Sequence, residues 1–437
     1  MNKEILARAD VGGDGWWREV ERQGAPWVEP GPAGQCGVIF LWRDPEGDER
    51  ASAIRRVWIN ISGVTDHHGN TGPQSLERIA GTDVWYWQTR LGESWRGSYC
   101  FIPCRDDGAF VTLTMAPVDR AALRNAWRGL FAGAVADRLN PLRAWTNGRG
   151  HPVSALHMPR APAQAAWREF DKIGPVAGRT LPPLPAPAGL ERHRWLSERL
   201  GNTRDIWIFT TGRRREAERP LAILLDGQFW SRQMPVWSPL LHMTRTGGLP
   251  EAVYVLIDAI DTRQRGRELT CNPDFWLAVR EELLPQLATW APYRADPATT
   301  VVAGQSFGGL SALYAALNWP GHFGCVLSQS GSFWWPDRDL AQAENVPGDA
   351  SRLLGQIAQG LGDGQALKAF IEVGAREQLI HRVNDRLADL LRRRGHQVDY
   401  RVVDGGHDAL CWRGGLLDGL AALWSGMSPM PWLFTRA

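Results

Sequence analysis

The stretch VVAGQSFGGL, residues 301–310, constrains the fold more than any other part of the chain. Two valines lead into Gly-Gln-Ser-Phe-Gly, and an apolar stretch that favours a helix, SALYAALNW, follows at residues 311–319. A serine between two glycines at a strand-to-helix turn is typical of a nucleophile elbow, a turn so tight that glycine is needed on either side. The pattern also arises by chance, so the strand before it and the helix after it are what favour a catalytic Ser306.

Length and composition indicate an ordinary globular protein. A chain of 437 residues predicts two or three domains, and 44% hydrophobic with 22% charged residues is a typical globular composition. The net charge of +2 gives no sign of nucleic-acid binding. No apolar run is long enough to span a membrane, and the N-terminus lacks the apolar core of a secretory signal. The six cysteines form no zinc pattern, so we expect mostly buried, reduced thiols in a cytoplasmic protein.

The first part of the chain has the pattern of an all-β domain. Short alternating runs separated by Gly, Pro or Asp clusters predict strands at 38–43, 55–62, 83–91, 97–103 and 110–115. We expect a helix over 119–139, then an irregular tract, and then a proline-rich linker over 174–195. The sequence therefore predicts an N-terminal β-sandwich domain with a trailing linker, 1–185, and a catalytic domain, 186–437.

After the linker, apolar strand candidates alternate with helices. The predicted strands lie at 206–212, 220–227, 253–261, 299–306, 325–335, 368–375 and 399–406. The clearest helices lie at 275–290 and 383–395. This alternation predicts an α/β domain with a mostly parallel sheet covered on both faces, as in the α/β-hydrolases.

A serine nucleophile needs a base, which is in turn oriented by an acid. In α/β-hydrolases the chain order is serine, then acid, then histidine. His407 follows the last predicted strand on a glycine-rich loop and is our candidate base. Glu377, just past the strand at 368–375, is our candidate acid, although a carboxylate there also suits a helix N-terminus. The alternatives for the acid are Glu372, Asp385, Asp404 and Asp408.

An oxyanion hole in this fold combines two backbone N–H groups. One belongs to the residue after the nucleophile, here Phe307, and the other comes from the loop after the third strand of the domain. The segment LLDGQFW, residues 224–230, occupies that loop. We therefore expect Gln228 to supply the second donor.

With these residues in place, the chain resembles the enterochelin (ferric enterobactin) esterases over nearly its whole length. The segments that carry the resemblance are GTDVWYWQTRL, LLDGQFW, RGRELTCNPDFW, GQSFGGL, VGAREQ and DGGHDALCWRGGL. The resemblance implies an immunoglobulin-like N-terminal domain and cytoplasmic hydrolysis of a catecholate siderophore trilactone to 2,3-dihydroxybenzoylserine units. It carries Ser306 and His407 over as nucleophile and base. Glu377 carries over less directly, because related esterases differ in how complete their triad is.

The implied ligand is bulky, aromatic and anionic, which suits arginine and tryptophan. Arg265 matches a family arginine beside the substrate, and we expect its segment, TRQRGREL, to be a loop at the carboxyl edge of the sheet. Most of the 23 tryptophans are expected to pack in cores. Trp230, Trp276 and Trp334, near the predicted active-site loops, are candidates for ligand contact.

The sequence predicts no cofactor or metal ion and gives no sign of an obligate protein partner. The pair His67-His68 lies on a glycine-rich segment and is expected to form a solvated turn. Two other functions stay open: a peptidase or esterase acting on a different acyl substrate, and a siderophore-binding protein without catalysis. The elbow at Ser306 together with His407 argues against a binding protein, which would need neither.

Overall fold

The structure, a computed structural model, describes residues 2–68, 72–106, 120–172, 186–212, 218–337 and 352–427. The chain divides into two compact units. The first contains Met1–Pro183, Gly374–Glu377 and Val403–Cys411, and the second contains Leu184–Val373, Gln378–Val402 and Trp412–Ala437. Two short segments from beyond the predicted boundary at 185/186 thus group with the first unit.

The first unit is built mainly from β-strands. Its helices are α1 (Asn2–Leu6), α2 (Asp14–Gln23), α3 (Arg120–Leu130) and α4 (Arg168–Asp171). Its strands are β1 (Trp27–Pro30), β2 (Gln35–Arg43), β3 (Arg56–Ile61), β4 (Gln74–Ser75), β5 (Glu77–Arg78), β6 (Val84–Gly92), β7 (Arg96–Cys104), β8 (Trp145–Thr146) and β9 (Pro152–His157).

These strands form two antiparallel sheets with a common core. Among the described residues, one sheet has the order β1-β2-β6-β5 and the other β4-β3-β7-β9-β8. Every second residue of β2 and β3 points into a single apolar cluster, which takes Val38 and Phe40 from the first sheet and Val57, Ile59 and Ile61 from the second. Two sheets that bury their inner faces against each other make a sandwich. The predicted β-sandwich is confirmed.

The first unit differs from expectation after α3. The helix expected over 119–139 ends at Leu130, and a 3₁₀ turn, Phe131–Gly133, follows it. The chain then pairs with a strand, since Val135 and Phe101 exchange two backbone hydrogen bonds of 2.8 and 3.0 Å. Tertiary pairing therefore overrides the helical pattern. The strand expected at 110–115 lies outside the described residues.

The remaining strands form one large sheet, and they alternate with helices along the chain. The strands are β10 (Leu190–Ser197), β11 (Asn202–Thr210), β12 (Leu221–Leu224), β13 (Val253–Ile257), β14 (Thr300–Gln305), β15 (Cys325–Gln329), β16 (Lys368–Gly374) and β17 (Gln397–Val403). The helices are α5 (Trp237–Arg245), α6 (Thr262–Glu268), α7 (Pro273–Ala278), α8 (Leu284–Trp290), α9 (Phe307–Asn318), α10 (Arg352–Ala358), α11 (Leu379–Arg393) and α12 (Ala409–Leu423).

The sheet has the order β10-β11-β13-β12-β14-β15-β16-β17 among the described residues. β10 and β11 are antiparallel to their neighbours, and β12 through β16 are mutually parallel. β17 is parallel to β16, because Gln397 N–H bonds to Leu367 O and Ala375 N–H bonds to Val403 O. The predicted α/β fold with a mostly parallel sheet is confirmed. The strand order reverses at β12, and ligands bind outside the carboxyl ends of strands at such a point.

Two segments differ from expectation. β10 begins in the last part of the predicted linker, and only two of the eight residues of LERHRWLS are buried, so the apolar pattern of a buried strand is missing. TRQRGREL, expected to be a loop, forms α6. The Asp261 side chain accepts the N–H of Gln264 at 2.7 Å and caps this helix at its N-terminus. Arg265 therefore projects from a helix.

Candidate active site

Ser306 lies directly after β14 in a strained backbone conformation. Its φ is 59° and its ψ is −119°, a region that residues other than glycine rarely adopt. Its N–H donates to Gln329 O of the neighbouring strand at 2.9 Å, which holds the turn against the sheet. Its side chain is half-buried, and Oγ lies 3.2 Å from the hydroxyl of Ser332. This is the geometry of a nucleophile elbow.

The glycines around Ser306 are explained by close packing, though not symmetrically. A Cβ at Gly304 would overlap the backbone of Gly308, so no side chain fits at this position, two residues before the serine. A Cβ at Gly308 would make only ordinary contacts, the nearest at 3.6 Å. The tighter position on that side is Gly309, where a Cβ would lie 2.6 Å from Ser328 Oγ. Close packing therefore requires glycine at position 304, two residues before the serine, and at position 309, three residues after it.

The two expected oxyanion donors each stand at the start of a helical turn. Phe307 is the first residue of α9, and Gln228 directly precedes a π-helical turn, Phe229–Gln233, after β12. The first N–H groups of a helix have no acceptor within it, so both are suited to bind an anion. The Gln228 side chain accepts the N–H of Ala259 at 3.0 Å, which ties its loop to the end of β13.

Arg265 is bound to the same loop. Its Nε and Nη2 donate to the two carboxylate oxygens of Asp226 at 2.6 and 2.7 Å, and Nη2 also donates to Gln305 O at 3.2 Å. The guanidinium lies 5.8 Å from the centre of the Phe307 ring. Burial alone would lower the pKa of Arg265, but the charge and hydrogen bonds of Asp226 raise it above its usual value. Asp226 itself has a φ of 56°, so a strained residue is held by a two-point ion pair.

In the first unit, His407 is paired with Glu377. His407 Nδ1 donates to Glu377 Oε2 at 2.7 Å, and the other oxygen, Oε1, accepts the N–H of Gly374 at 2.7 Å. The Glu377 side chain has no exposed surface and that of His407 is 13% exposed. A buried carboxylate with both oxygens hydrogen-bonded fixes the imidazole ring, and Nε2 is the ring nitrogen that Glu377 does not bind.

The other candidates for the acid bind elsewhere. Asp385 accepts the Tyr400 hydroxyl, and Asp404 accepts the Ser94 hydroxyl at 2.9 Å. Asp408 accepts the N–H of Ser98 at 2.8 Å. Of the five candidate acids, the structure brings Glu377 to the histidine.

A row of polar side chains that was not predicted lies near the ends of adjacent strands, and three of its four members are buried. Gln305 Nε2 donates to Gln329 Oε1 at 2.9 Å, and Gln329 Nε2 donates to Glu372 Oε1 at 2.8 Å. Glu372 Oε2 accepts Arg401 Nε at 2.8 Å, and burial still raises the pKa of Glu372. We call these four residues the cross-strand polar row. A signal was present, because three largely apolar strands carry Gln or Glu at positions that pair in register.

The three candidate tryptophans occupy different environments. Trp230 and Trp276 are 1% and 0% exposed, and their N–H groups donate to Gln305 Oε1 and Ser311 Oγ at 3.0 Å each. Neither side chain offers a surface for ligand contact in this conformation, and packing accounts for both. Trp334 is half-buried, and its ring centre lies 5.9 Å from that of Phe307. Trp334 is thus the tryptophan that stands beside the elbow.

The expectation of a solvated turn at His67-His68 is wrong. His67 is 8% exposed, and its ring centre lies 4.0 Å from that of His68, which is 5.4 Å from that of His407. Burial, with a smaller effect from the charge of Arg149, lowers the pKa of His67 to about 2. The glycine-rich sequence suggested an exposed turn, but the packing of the first unit encloses it.

Further features bear on the class of site. Within the described ranges, no cluster of three or more His, Cys, Asp or Glu side chains is arranged to hold a metal ion. No helix in that part of the chain has both the length and the hydropathy needed to cross a membrane. All six cysteines are described, none forms a disulfide, and all but Cys104 are buried.

Comparison with known proteins agrees with this architecture. Residues 37–167 match the family model for the enterochelin esterase N-terminal domain, and residues 197–423 match the one described as putative esterase. The iron(III) enterobactin esterase of Escherichia coli O6:H1 (strain CFT073) is 51% identical over 414 residues, which cover 95% of this chain and 97% of that protein. The chain belongs to the enterobactin esterase family. The family member from Dickeya dadantii is 48% identical, over 97% of this chain and 96% of its own.

Solved structures of enterobactin esterases extend the match to the fold. The crystal structure of ferric enterobactin esterase from Salmonella typhimurium has a TM-score of 0.85 at 50% identity, covering 95% of this chain and 99% of that one. The enterobactin esterase from Shigella flexneri, crystallised in the presence of enterobactin, has a TM-score of 0.80 at 49% identity with the same coverage. The α/β esterase fold with a preceding N-terminal domain is therefore the fold of this enterobactin esterase family member.

Proposed function

We propose that the protein is a serine esterase that hydrolyses the ester bonds of ferric enterobactin or a closely similar catecholate trilactone. The substrate class comes from the relatives, which are named iron(III) enterobactin esterases at 48–51% identity. One observation carries the reaction type: Ser306 has the strained conformation of a nucleophile elbow at the carboxyl end of β14.

In the proposed mechanism, Ser306 Oγ attacks the ester carbonyl carbon while His407 Nε2 accepts the hydroxyl proton. The Nδ1–H bond to Glu377 leaves Nε2 as the basic nitrogen and stabilises the imidazolium that forms. The backbone N–H groups of Phe307 and Gln228 bind the oxyanion. The C–O bond then breaks, His407 returns the proton to the departing seryl hydroxyl, and an acyl-enzyme remains.

Water completes the cycle by the same route. His407 removes a proton from water, the hydroxide adds to the acyl carbon, and collapse releases the carboxylic acid and restores the Ser306 hydroxyl. Three such hydrolyses convert the cyclic trilactone into three 2,3-dihydroxybenzoylserine units. The monomers lose the covalent link between their catechols, which weakens their hold on Fe³⁺ because chelation is no longer intramolecular. Iron is the cargo of the substrate here.

We further propose that Arg265 and Trp334 contact the substrate. A guanidinium has five N–H donors, and those described above engage Nε and Nη2, so Nη1 is available to a catecholate oxygen. The Arg265 side chain is 24% exposed, which is enough for a ligand to reach it. Trp334 presents a half-buried aromatic face beside Phe307, suited to stacking on a catechol ring. We place the reaction in the cytoplasm, a reducing compartment that suits a chain whose cysteines form no disulfide.

Mass spectrometry after incubation with ferric enterobactin tests this function. We expect linear trimer, dimer and monomer to accumulate in that order, and Ser306→Ala to give intact trilactone only. Binding without hydrolysis by the unaltered protein would instead identify a siderophore-binding protein. Hydrolysis of simple acyl esters with the trilactone left intact would identify an esterase for another substrate.

A further inference from the structure

The loop that carries His407 is part of the first unit, and β7 holds it on both sides. Before the histidine, Asp404 O accepts the N–H of Arg96 at 3.0 Å. After it, the Cys411 thiol lies 3.5 Å from Arg96 O, as a weak hydrogen bond. One residue at the start of β7 thus contacts the loop at positions three residues before and four residues after the histidine.

The loop also meets the first unit through a close approach of two backbones. A Cβ at Gly406 would lie 2.7 Å from Gly63 N, and a Cβ at Gly63 would lie 3.0 Å from Gly406 Cα. Neither position has room for a side chain. The peptide immediately before His407 is therefore packed directly on the segment that follows β3.

The residue after His407 provides the strongest anchor. Asp408 is 4% exposed, and its Oδ2 accepts both the N–H of Ser98 in β7, at 2.8 Å, and the Ser98 hydroxyl. Its Oδ1 accepts the N–H of Leu410 at 2.7 Å, which caps the first turn of α12. Hydrogen bonds from neutral donors to a buried carboxylate are charge-assisted and correspondingly strong.

We infer that Ser98 and Asp408 are positioning residues for His407, so that β7 of the sandwich sets the direction of the catalytic base. Two glycines, Gly405 and Gly406, precede the histidine and leave its backbone flexible unless it is anchored. The bond to Glu377 fixes only Nδ1 of the ring. The Asp408–Ser98 contact fixes the adjoining peptide, and with it the position of Nε2. This inference rests on the proposed role of His407 as general base.

The same contacts explain why Asp408 is a positioning residue and not the orienting acid. Both of its oxygens are occupied by Ser98 and Leu410, whereas Glu377 presents Oε2 directly to the imidazole. Removing the Asp408 anchor should therefore displace the base without removing its partner. Displacement of a catalytic group by about 1 Å is enough to cost up to about a hundredfold in rate.

The test uses the full-length protein and two readouts that need no siderophore. The first is the rate at which a fluorophosphonate probe labels Ser306, and the second is the pair of separate kcat and KM values for p-nitrophenyl acetate. We compare Asp408→Asn, Ser98→Ala and Ser98→Thr with Ser94→Ala. Ser94→Ala is the matched control, because the Ser94 hydroxyl donates to Asp404 Oδ2 of the same loop at 2.9 Å, whereas Asp408 is bound by Ser98. His407→Ala reports whether the base itself matters.

We expect Asp408→Asn and Ser98→Ala to lower the labelling rate and kcat by roughly tenfold with little change in KM. Ser98→Thr, which keeps a hydroxyl, should restore most of the rate, and Ser94→Ala should match the unaltered protein.

Folded Asp408→Asn and Ser98→Ala proteins with an unchanged labelling rate and unchanged kcat would overturn the inference, provided that His407→Ala is inactive. If Asp408→Asn does not fold, the Ser98 variants decide the matter alone. An unchanged labelling rate in His407→Ala would instead remove the proposed base, and the positioning role would fall with it.

Discussion

Asp226 and Arg265 form a two-point ion pair that joins the loop after β12 to helix α6, with N–O distances of 2.6 and 2.7 Å. Asp226 lies two residues before Gln228, the expected oxyanion donor. Arg265 therefore has two tasks open to it: holding that loop and meeting the anionic substrate. The two can be separated by experiment.

Arg265→Ala should affect two substrates unequally. Loss of the Asp226 anchor should slow hydrolysis of p-nitrophenyl acetate, which has no anionic oxygen. The kcat/KM for ferric enterobactin should fall by a further factor of roughly ten to one hundred, since a hydrogen bond to a charged group contributes about 1.5–3 kcal/mol. Asp226→Asn is the matched control, because it weakens the anchor but keeps the guanidinium. Equal losses on both substrates in Arg265→Ala would restrict Arg265 to anchoring the loop.

Ser306→Ala should abolish turnover while leaving the protein folded and able to bind its substrate. The expected loss is several powers of ten, because the members of a triad act as a unit. Rates with ferric enterobactin and ligand binding by tryptophan fluorescence provide the measurements. Retention of more than a few per cent of the rate would exclude Ser306 as the nucleophile.

The acid and the base should differ in their effect. His407→Ala should cost about as much as the serine substitution, whereas Glu377→Gln should cost about one to two powers of ten less, because the acid orients and stabilises the imidazolium without taking the proton. Steady-state kinetics of the two variants, with Asp385→Asn as a control on α11, checks this order. A silent Glu377→Gln would show that another group orients the base.

Asp137 should make the stability of the first unit depend on pH. Burial raises the pKa of Asp137 to about 7, although hydrogen bonds from Tyr99 and the N–H of Leu139 oppose the rise. The unfolded-state pKa is near 3.8, so between these values the native state holds a proton that the unfolded state has lost. This contribution to stability is fully present below pH 3.8 and is lost as the pH rises towards 7, by up to about 1.4 kcal/mol per pH unit.

Asp137→Asn removes this titration and keeps the shape of the side chain. We expect the difference in unfolding free energy between Asp137→Asn and the unaltered protein to increase in favour of the variant from pH 5 to pH 7 and to level off above that. Urea unfolding followed by tryptophan fluorescence at each pH measures it. A difference that does not vary between pH 5 and pH 8 would contradict the assignment.

Features that depend on neighbouring residues in the sequence were predictable. The elbow at Ser306 follows from a strand, a turn and a helix within twenty residues, and the strands around Val38 and Val57 follow from alternation. Features that depend on tertiary packing were not. His67 lies in a glycine-rich segment that suggests exposure, and only the assembled first unit buries it. Glu377 could be ranked ahead of Asp408 by position, but their hydrogen bonds are visible in the structure alone.

Some misses had a signal in the sequence. Asp261 lies three residues before Gln264, which is the pattern of a helix N-cap. The helix α6 could therefore have been predicted where a loop was expected. The cross-strand polar row also left a signal in the sequence, because Gln305, Gln329 and Glu372 lie at or near the ends of largely apolar strands. A buried polar residue near a strand end needs a partner, and the neighbouring strand is the obvious place to look for it.

The close approach of Gly63 to Gly406 has a consequence for protein engineering. In a chimera that joins residues 1–185 of one relative to residues 186–437 of another, Gly63 and Gly406 would come from different parents. Each of these positions has no room for a side chain because the backbone of the other lies against it. The chimera would also take Ser98 and Asp408 from different parents. The boundary at 185/186 is the crossover point that the sequence suggests. We expect it to yield functional chimeras only when the parent of the N-terminal part also supplies residues 403–411.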